Sequence, residues 1–176
     1  METKALMVEI RDARDADRKA LQDVHVASWQ DSYVGAFPTT FLASELPGRM
    51  ANYWSRQTLP GDDLVLVATG TQMMGFIAVE IQAQGPYCHN LHVDPAYRGA
   101  GIGGQLLYAA AGRLIGMGHS RLSLDVFEMN TRTRAYYRRL GGAEGVARPD
   151  RLFGYDVSSI PVVWTDISAL RDRLGA

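Results

Sequence analysis

The stretch Val93–Leu107, VDPAYRGAGIGGQLL, sets Gly99, Gly101, Gly103 and Gly104 between strand-forming residues and helix-forming ones. Its reading decides the fold, because three phosphate-binding patterns pass close to it. Gly99 to Gly104 satisfies G-x-G-x-x-G, and Asp125 follows at about the spacing from which a dinucleotide fold grips a ribose. That pattern should open directly from a strand, yet Asp94-Pro95-Ala96-Tyr97-Arg98 intervenes, and Asp125 sits inside the strand-like run SLDVFE rather than at a strand end. The same letters approach a P-loop from Gly99, but Gln105 and Leu106 stand where the lysine and the metal-holding hydroxyl are required. The third pattern is Arg-x-x-Gly-x-Gly, filled by Arg98, Gly101 and Gly103. Small residues leading into a helix let backbone N–H groups converge on an anion at the positive end of the helix dipole, and Arg98 could add a charge-assisted contact. On spacing alone, this anion nest and a plain glycine-rich turn fit equally well.

Working outward, DLVLVAT, QMMGFIAVEIQ and YCHNLHV are three strand-like runs joined by short connections, which reads as an antiparallel meander. Such a meander is not the run of βα units a dinucleotide fold needs. Downstream, Leu107, Ala110, Ala111 and Leu114 form one apolar helical stripe, SRLSLDVFE is a strand, and NTRTRAYYRRLGG is a short helix ended by a glycine cap. The tail LFGYDVSSIPVVWTDI adds a final strand or two. Upstream, LMVEIRDA is a first strand, and Ala20, Leu21, Val24, Ala27 and Ser28 recur at helical spacing with Asp15 or Asp17 as cap. A second helical region follows, in which Pro47 and Gly48 are expected to interrupt the helix. The fold class is therefore α/β, a mixed, mostly antiparallel twisted sheet flanked by helices, in a single domain over residues 1–176.

The run LHVDPAYRGAGIGGQLL, with NTRTRAYYRRLGG about thirty residues later, resembles the acetyl-CoA-binding core of the GCN5-related N-acetyltransferase (GNAT) superfamily. The family often shows a strand ending Val-x-Pro, then Arg/Gln-x-x-Gly-x-Gly/Ala opening a helix, another strand, an Asn, and a helix carrying Tyr shortly before Leu-Gly. Here these are Val93-Asp94-Pro95, Arg98 to Gly103, Asn130, and Tyr137 before Leu140-Gly141. One position departs, since members commonly follow that last glycine with Phe and this chain has Gly142.

The resemblance implies an N-acetyltransferase with acetyl-CoA as co-substrate. It implies that backbone N–H groups of Arg98, Gly99, Ala100, Gly101, Ile102, Gly103 and Gly104 bind the CoA pyrophosphate. Leu91, His92 and Val93 would splay from the next strand and offer backbone groups to the pantetheine arm and thioester, and Asn130 would contact the cofactor. Tyr137 would protonate the departing CoA thiolate. Asn130 is also a good helix cap, and Tyr137 also reads as a packing residue beside Tyr136. For the base that takes the ammonium proton, Glu80, His89, His92, Asp94 or an ordered water are all open, with Glu80 the named candidate. Trp29 and Tyr33, an i, i+4 aromatic pair, are either core residues or the wall of the acceptor pocket. The implied reaction is direct attack of a primary amine within a ternary complex; the competing reading is a non-catalytic acyl-CoA-binding module.

Composition sets the remaining bounds. Eighteen Lys and Arg stand against nineteen Asp and Glu, giving a net charge of −1 with no basic stripe, so nucleic acid is not an expected partner. No apolar run approaches membrane-spanning length, and the lone Cys88 excludes an internal disulfide, so a cytoplasmic location is expected. His89 and His92 do not read as a metal pair, and no metal is expected. The tail SSIPVVWTDI could serve as an exposed pairing edge for a homodimer.

Overall fold

In the computed structural model, which describes residues 7–176, the chain forms two compact units, with strands β3 and β4 running through both. The first comprises the chain up to Ile77 together with Leu91–Leu106. It holds β1 (Glu9–Asp12), α1 (Arg18–Ser32), α2 (Leu46–Ser55), β2 (Leu64–Thr69), the first part of β3 (Met73–Gln82), the end of β4 (Gly85–Val93) and the opening of α3 (Ile102–Gly116). Strands follow the order β1-β2-β3-β4, with β1 antiparallel to β2 and Ile10 opposite Ala68. The turns at residues 70–72 and 83–84 are too short for anything but hairpins, as the meander requires. Leu6, the first residue of the expected opening strand, lies outside the described residues.

Helix α1 buries Leu21, Val24, His25, Ser28 and Trp29, a stripe three and four residues apart. Leu21 and Val24 enter the core cluster with Ala13, Trp54, Val67 and Phe76. Burying each large apolar side chain there contributes about 1.5–3 kcal/mol. Asp17 takes the N-cap position of α1 without a side-chain cap bond. Its carboxylate instead accepts from the Arg14 N–H at 2.7 Å and from Arg11 at 2.8 and 3.0 Å, while Asp15 pairs with Arg18. Pro47 does not break the second helix as expected. A π-helical turn over Phe41–Glu45 runs directly into α2, and Pro47 follows it; the widened turn accommodates the proline, and the Leu42 carbonyl accepts the Gln30 side-chain amide at 2.9 Å.

The second unit comprises Ala78–Asn90 and Leu107–Ala176. Beside the ends of β3, β4 and α3, it holds β5 (Leu122–Phe127), α4 (Thr131–Arg139), β6 (Ala143–Glu144), β7 (Arg148–Leu152), β8 (Tyr155–Trp164) and α5 (Ile167–Leu174). Its strand order is β3-β4-β5-β8-β6, with β7 also on β8. Strand β5 is parallel to β4, as the helical crossover α3 permits, and antiparallel to β8. Alternation then sorts the faces. Leu122, Leu124 and Val126 sit opposite Trp164, Val162 and Ile160, and all six are buried, as are Leu107, Ala110, Ala111 and Leu114 of α3. Ser123 and Asp125 point to the other face of β5.

The tail differs from the expected edge. β8 is flanked by β5 along Ser159–Trp164 on one side and by β7 and β6 on the other, so this stretch lies inside the sheet and not at its edge. Beyond it, Asp166 caps α5 by accepting from the Ser168 and Ala169 N–H groups at 2.9 and 3.1 Å, and Ile167 and Leu170 anchor that helix. Helix α4 ends as expected. Gly141 takes φ 81°, its N–H donates to the Arg138 carbonyl at 3.0 Å and the Gly142 N–H to that of Tyr137 at 2.9 Å, a Schellman closure.

A Cβ on Gly142 would lie 2.7 Å from Val162 Cγ1 and 2.9 Å from Trp164 Cζ2. Trp164, whose indole N–H donates to the Leu140 carbonyl at 3.0 Å, fills the volume that a side chain at 142 would need. Gly142→Ala is therefore expected to destabilise the protein by about 1–3 kcal/mol through overpacking, read as a lowered midpoint in denaturant unfolding.

Candidate active site

In the first unit, β4 gives way to a 3₁₀ turn, Pro95–Tyr97, capped by Asp94, whose carboxylate accepts the Ala96 N–H at 2.8 Å. Gly99 and Gly101 then adopt φ of 81° and 76°, where L side chains are strained. A Cβ at either would meet nothing within 4 Å, so conformation and not crowding requires glycine, and the space in front of the loop is open. Helix α3 opens at Ile102, and its first i to i−4 bond runs from the Gln105 N–H to the Gly101 carbonyl at 3.0 Å. The N–H groups of Ile102, Gly103 and Gly104 precede it and lack an intrahelical acceptor. That arrangement of converging donors at a helix N-terminus suits a phosphate.

The opening of α3 sits close on the sheet because of Gly75, which the sequence reading passed over. A Cβ there would fall 2.7 Å from the His92 carbonyl oxygen and 3.3 Å from Ile102 Cγ2 and Leu106 Cδ1. The Asp94 N–H donates to the Met74 carbonyl at 2.8 Å, so β4 holds to β3 right up to the loop that carries the glycines.

The Arg98 side chain goes elsewhere than toward a phosphate. Its guanidinium pairs with Asp31 and donates to the Ser28 carbonyl at 3.3 Å, Ser28 Oγ at 3.4 Å and Ser32 Oγ at 3.0 Å, all on α1. It ties the glycine loop to that helix, which leaves backbone groups as what the loop can offer an anion.

Behind Arg98 lies a histidine pair that the sequence reading only half anticipated. Ser28 Oγ accepts from Arg98 and is hydrogen-bonded to His92 Nδ1 at 2.9 Å. The His92 ring lies 4.6 Å from that of His25, whose Nδ1 accepts the Trp54 indole N–H at 3.2 Å. The His25 ring is therefore neutral, since an indole can only donate. Burial, then the Arg98 charge, pushes His92 down to about 4, while burial and then His92 push His25 well below its usual range. In the unfolded chain both titrate near 6.5. Between about pH 6.5 and 4 the unfolded state binds protons that the folded state refuses, so stability falls as pH falls through that window. For His92 the expected loss by pH 4 is about 3 kcal/mol, read as a shift in urea midpoint against pH that flattens in His92→Gln.

Of the two aromatic candidates on this side, Trp29 is buried, and its ring meets Tyr33 at 4.7 Å and Phe37 at 5.3 Å. Trp29 belongs to the packing of α1, and Tyr33, at the C-cap, is its partly exposed neighbour.

The second unit holds the remaining candidates. Asn130 caps α4, its side-chain oxygen accepting the Thr133 N–H at 3.3 Å. Tyr137 lies one turn from the end of that helix, buried, with its ring edge-on to Trp164 at 5.5 Å, so the phenol is carried on a fixed support. Glu80 lies on β3, where its Oε2 accepts from the Gln82 amide at 2.8 Å and meets His89 Nε2 at 2.5 Å. These two contacts hold the Glu80 carboxyl below its usual range, Gln82 first. The parallel ladder between β4 and β5 covers Tyr87 and Cys88 opposite Ser123 and Leu124. Asp125, the residue that mimicked a ribose ligand, accepts the Tyr87 hydroxyl at 2.8 Å and Arg148 at 2.7 and 2.8 Å. Among the described residues no helix is long and apolar enough to cross a membrane.

Comparison with known proteins agrees with this geometry. An uncharacterised N-acetyltransferase, YuaI, of Bacillus subtilis (strain 168) is 27% identical over 176 residues, covering 96% of this chain and 99% of its own. Among solved structures, the PaiA N-acetyltransferase of Thermoplasma acidophilum in complex with coenzyme A superposes with a TM-score of 0.68 at 24% identity, covering 88% of this chain and 98% of that one. The ribosomal-protein-S18-alanine N-acetyltransferase of Escherichia coli gives 0.66 at 23% identity, covering 89% and 92%. The acetyltransferase (GNAT) family matches residues 21–142, a span from α1 through the whole glycine loop to the end of α4, and the chain belongs to that family of acyl-CoA-dependent acetyltransferases.

Proposed function

We propose that this protein transfers an acetyl group from acetyl-CoA to a primary amine by direct attack in a ternary complex. The observation that carries the reading is the loop Arg98–Gly104, where two left-handed glycines with open space at their Cβ positions lead into α3, whose first N–H groups have no intrahelical acceptor. In this reading those groups hold the CoA pyrophosphate, and the end of β4, Leu91 to Val93, presents its backbone to the pantetheine arm and thioester. The short ladder between β4 and β5 supports it, because a strand end freed from its neighbour has N–H groups for an oxyanion. Asn130 caps α4 and contacts the cofactor from there.

Tyr137 acts as the acid. A phenol on a ring held edge-on to Trp164 supports the reading, since a fixed donor can give its proton to the departing sulfur without first being ordered. Glu80, held ionised by Gln82 and His89, takes part through its charge rather than by receiving a proton. Tyr33 borders the acceptor beside the buried Trp29. Holding amine and thioester together supplies much of the acceleration. The test is release of free CoA thiol from acetyl-CoA across a panel of primary amines, expected to require both the enzyme and an amine. Absence of amine-dependent thiol would overturn the reading.

A further inference from the structure

The end of α1 and the glycine loop of the first unit are joined through one side chain. Ser28, Asp31 and Ser32 recur at i, i+3 and i+4, which places all three on one face of the helix. Arg98, the first residue of the loop, meets that face with its guanidinium: it pairs with Asp31 and donates to Ser32 Oγ at 3.0 Å, the Ser28 carbonyl at 3.3 Å and Ser28 Oγ at 3.4 Å. The negative end of the helix dipole favours a cation there. Helix α1 is a fixed support, since Leu21 and Val24 sit in the core cluster. The backbone at the start of the loop is held less firmly, by long bonds from the Arg98 N–H to the Pro95 carbonyl at 3.4 Å and from the Ala100 N–H to the Tyr97 carbonyl at 3.3 Å. Gly99 and Gly101 add backbone freedom that is lost whenever the loop takes one shape. Such a loop binds an anion best when another group has already fixed it, because ordering completed in the free protein does not subtract from binding. Ser28 Oγ is also hydrogen-bonded to His92 Nδ1 at 2.9 Å, so the same face of α1 holds the end of β4 beside the loop.

We infer that Asp31 is a positioning residue for acetyl-CoA, acting through Arg98 with Ser28 and Ser32 beside it; this rests on the reading above that the loop Arg98–Gly104 receives the CoA pyrophosphate. Asp31 needs no contact with the cofactor in this role. Its carboxylate orients the guanidinium, and the guanidinium holds the first residue of the loop, so that Gly99 and Gly101 keep their φ of 81° and 76° before any ligand arrives. Through Ser28 and His92 the end of β4 comes under the same hold. An arginine aimed at the phosphate itself predicts the opposite sign. Asp31 would then compete with the phosphate for the guanidinium, and removing it would tighten binding.

The experiment is calorimetric titration of acetyl-CoA into the full chain, beside a thermal melt without cofactor. Asp31→Ala is expected to raise the Kd about fivefold, the effect of one partly exposed charged contact. Its melting temperature should stay close to that of the parent, because the Asp31 side chain is 53% exposed. Arg98→Met, which removes every contact to α1 at once, is expected to raise the Kd about 30-fold. In the Arg98→Met background Asp31→Ala should then change the Kd less than about twofold, because the aspartate acts only through the arginine. Asp31→Glu should recover part of the loss, and Asp31→Asn replaces the alanine variant if that one melts early. An unchanged Kd in Asp31→Ala and Asp31→Asn, a tighter one, or an undiminished loss in the Arg98→Met background would each overturn the inference and leave acetyl-CoA binding by the loop in place. If the parent does not bind acetyl-CoA, the reading of the loop falls and takes this one with it.

Discussion

Tyr137→Phe is expected to lower kcat about 100-fold while leaving the Kd for acetyl-CoA within about twofold of the parent. The ring is buried and braced edge-on by Trp164, and Phe preserves both the packing and the helix, so what is lost is the one proton donor on that ring. CoA must then leave as a thiolate unassisted. A loss confined to kcat separates this role from a packing one, which would appear as a lowered melting temperature with kcat intact. Rapid-mixing thiol release under saturating acetyl-CoA, beside a thermal melt, reads both quantities.

Gly101→Val is expected to weaken acetyl-CoA binding about 100-fold. Two effects add. A β-branched residue held at φ 76° carries strain of about 1–2 kcal/mol or more, which the loop can relieve only by giving up its shape. The side chain also projects into the open space that the N–H groups face, displacing a charge-assisted contact of about 1.5–3 kcal/mol. If the free loop relaxes and must restore its shape to bind, the two costs sum to about 2.5–5 kcal/mol, a range that brackets a hundredfold at about 1.4 kcal/mol per factor of ten. Because nothing lies within 4 Å of a Cβ at that position, the fold itself has room, and the melting temperature without cofactor should move little. Gly101→Ala, which keeps the strain and loses the bulk, should fall between parent and Val.

Sequence periodicity carried the elements whose signal is local. The alternation in LVLVAT, the stripe Leu107, Ala110, Ala111 and Leu114, and the glycines closing α4 each specify their own geometry and recur as expected. What failed to show depends on partners far along the chain. Pro47 reads as a helix breaker until the π turn before it, with Gln30 of α1 on the Leu42 carbonyl, accommodates the proline within a continuous helix. Helix α5 rests on a single cap, Asp166, and on Ile167 and Leu170, too short a stripe to read beside a strand as apolar as β8. In the site, the glycines of the loop were legible because left-handed backbone demands them. The direction of the Arg98 side chain was not, since it is set by Asp31, Ser28 and Ser32, more than sixty residues earlier. His25 gave no signal either: it looks like one more polar residue on α1 until Trp54 and His92 enclose it. Gly142 likewise looks like a lost aromatic until Trp164 is seen in its place.

The central claim is that acetyl-CoA and an amine react directly on this protein. Its most direct measurement is mass spectrometry of both amine and protein after incubation with acetyl-CoA, with free thiol counted in the same sample. The expected result is one acetylated amine per thiol released and an unmodified protein throughout. Thiol released without acetylated amine, or an acetyl group found on the protein during turnover, would contradict it.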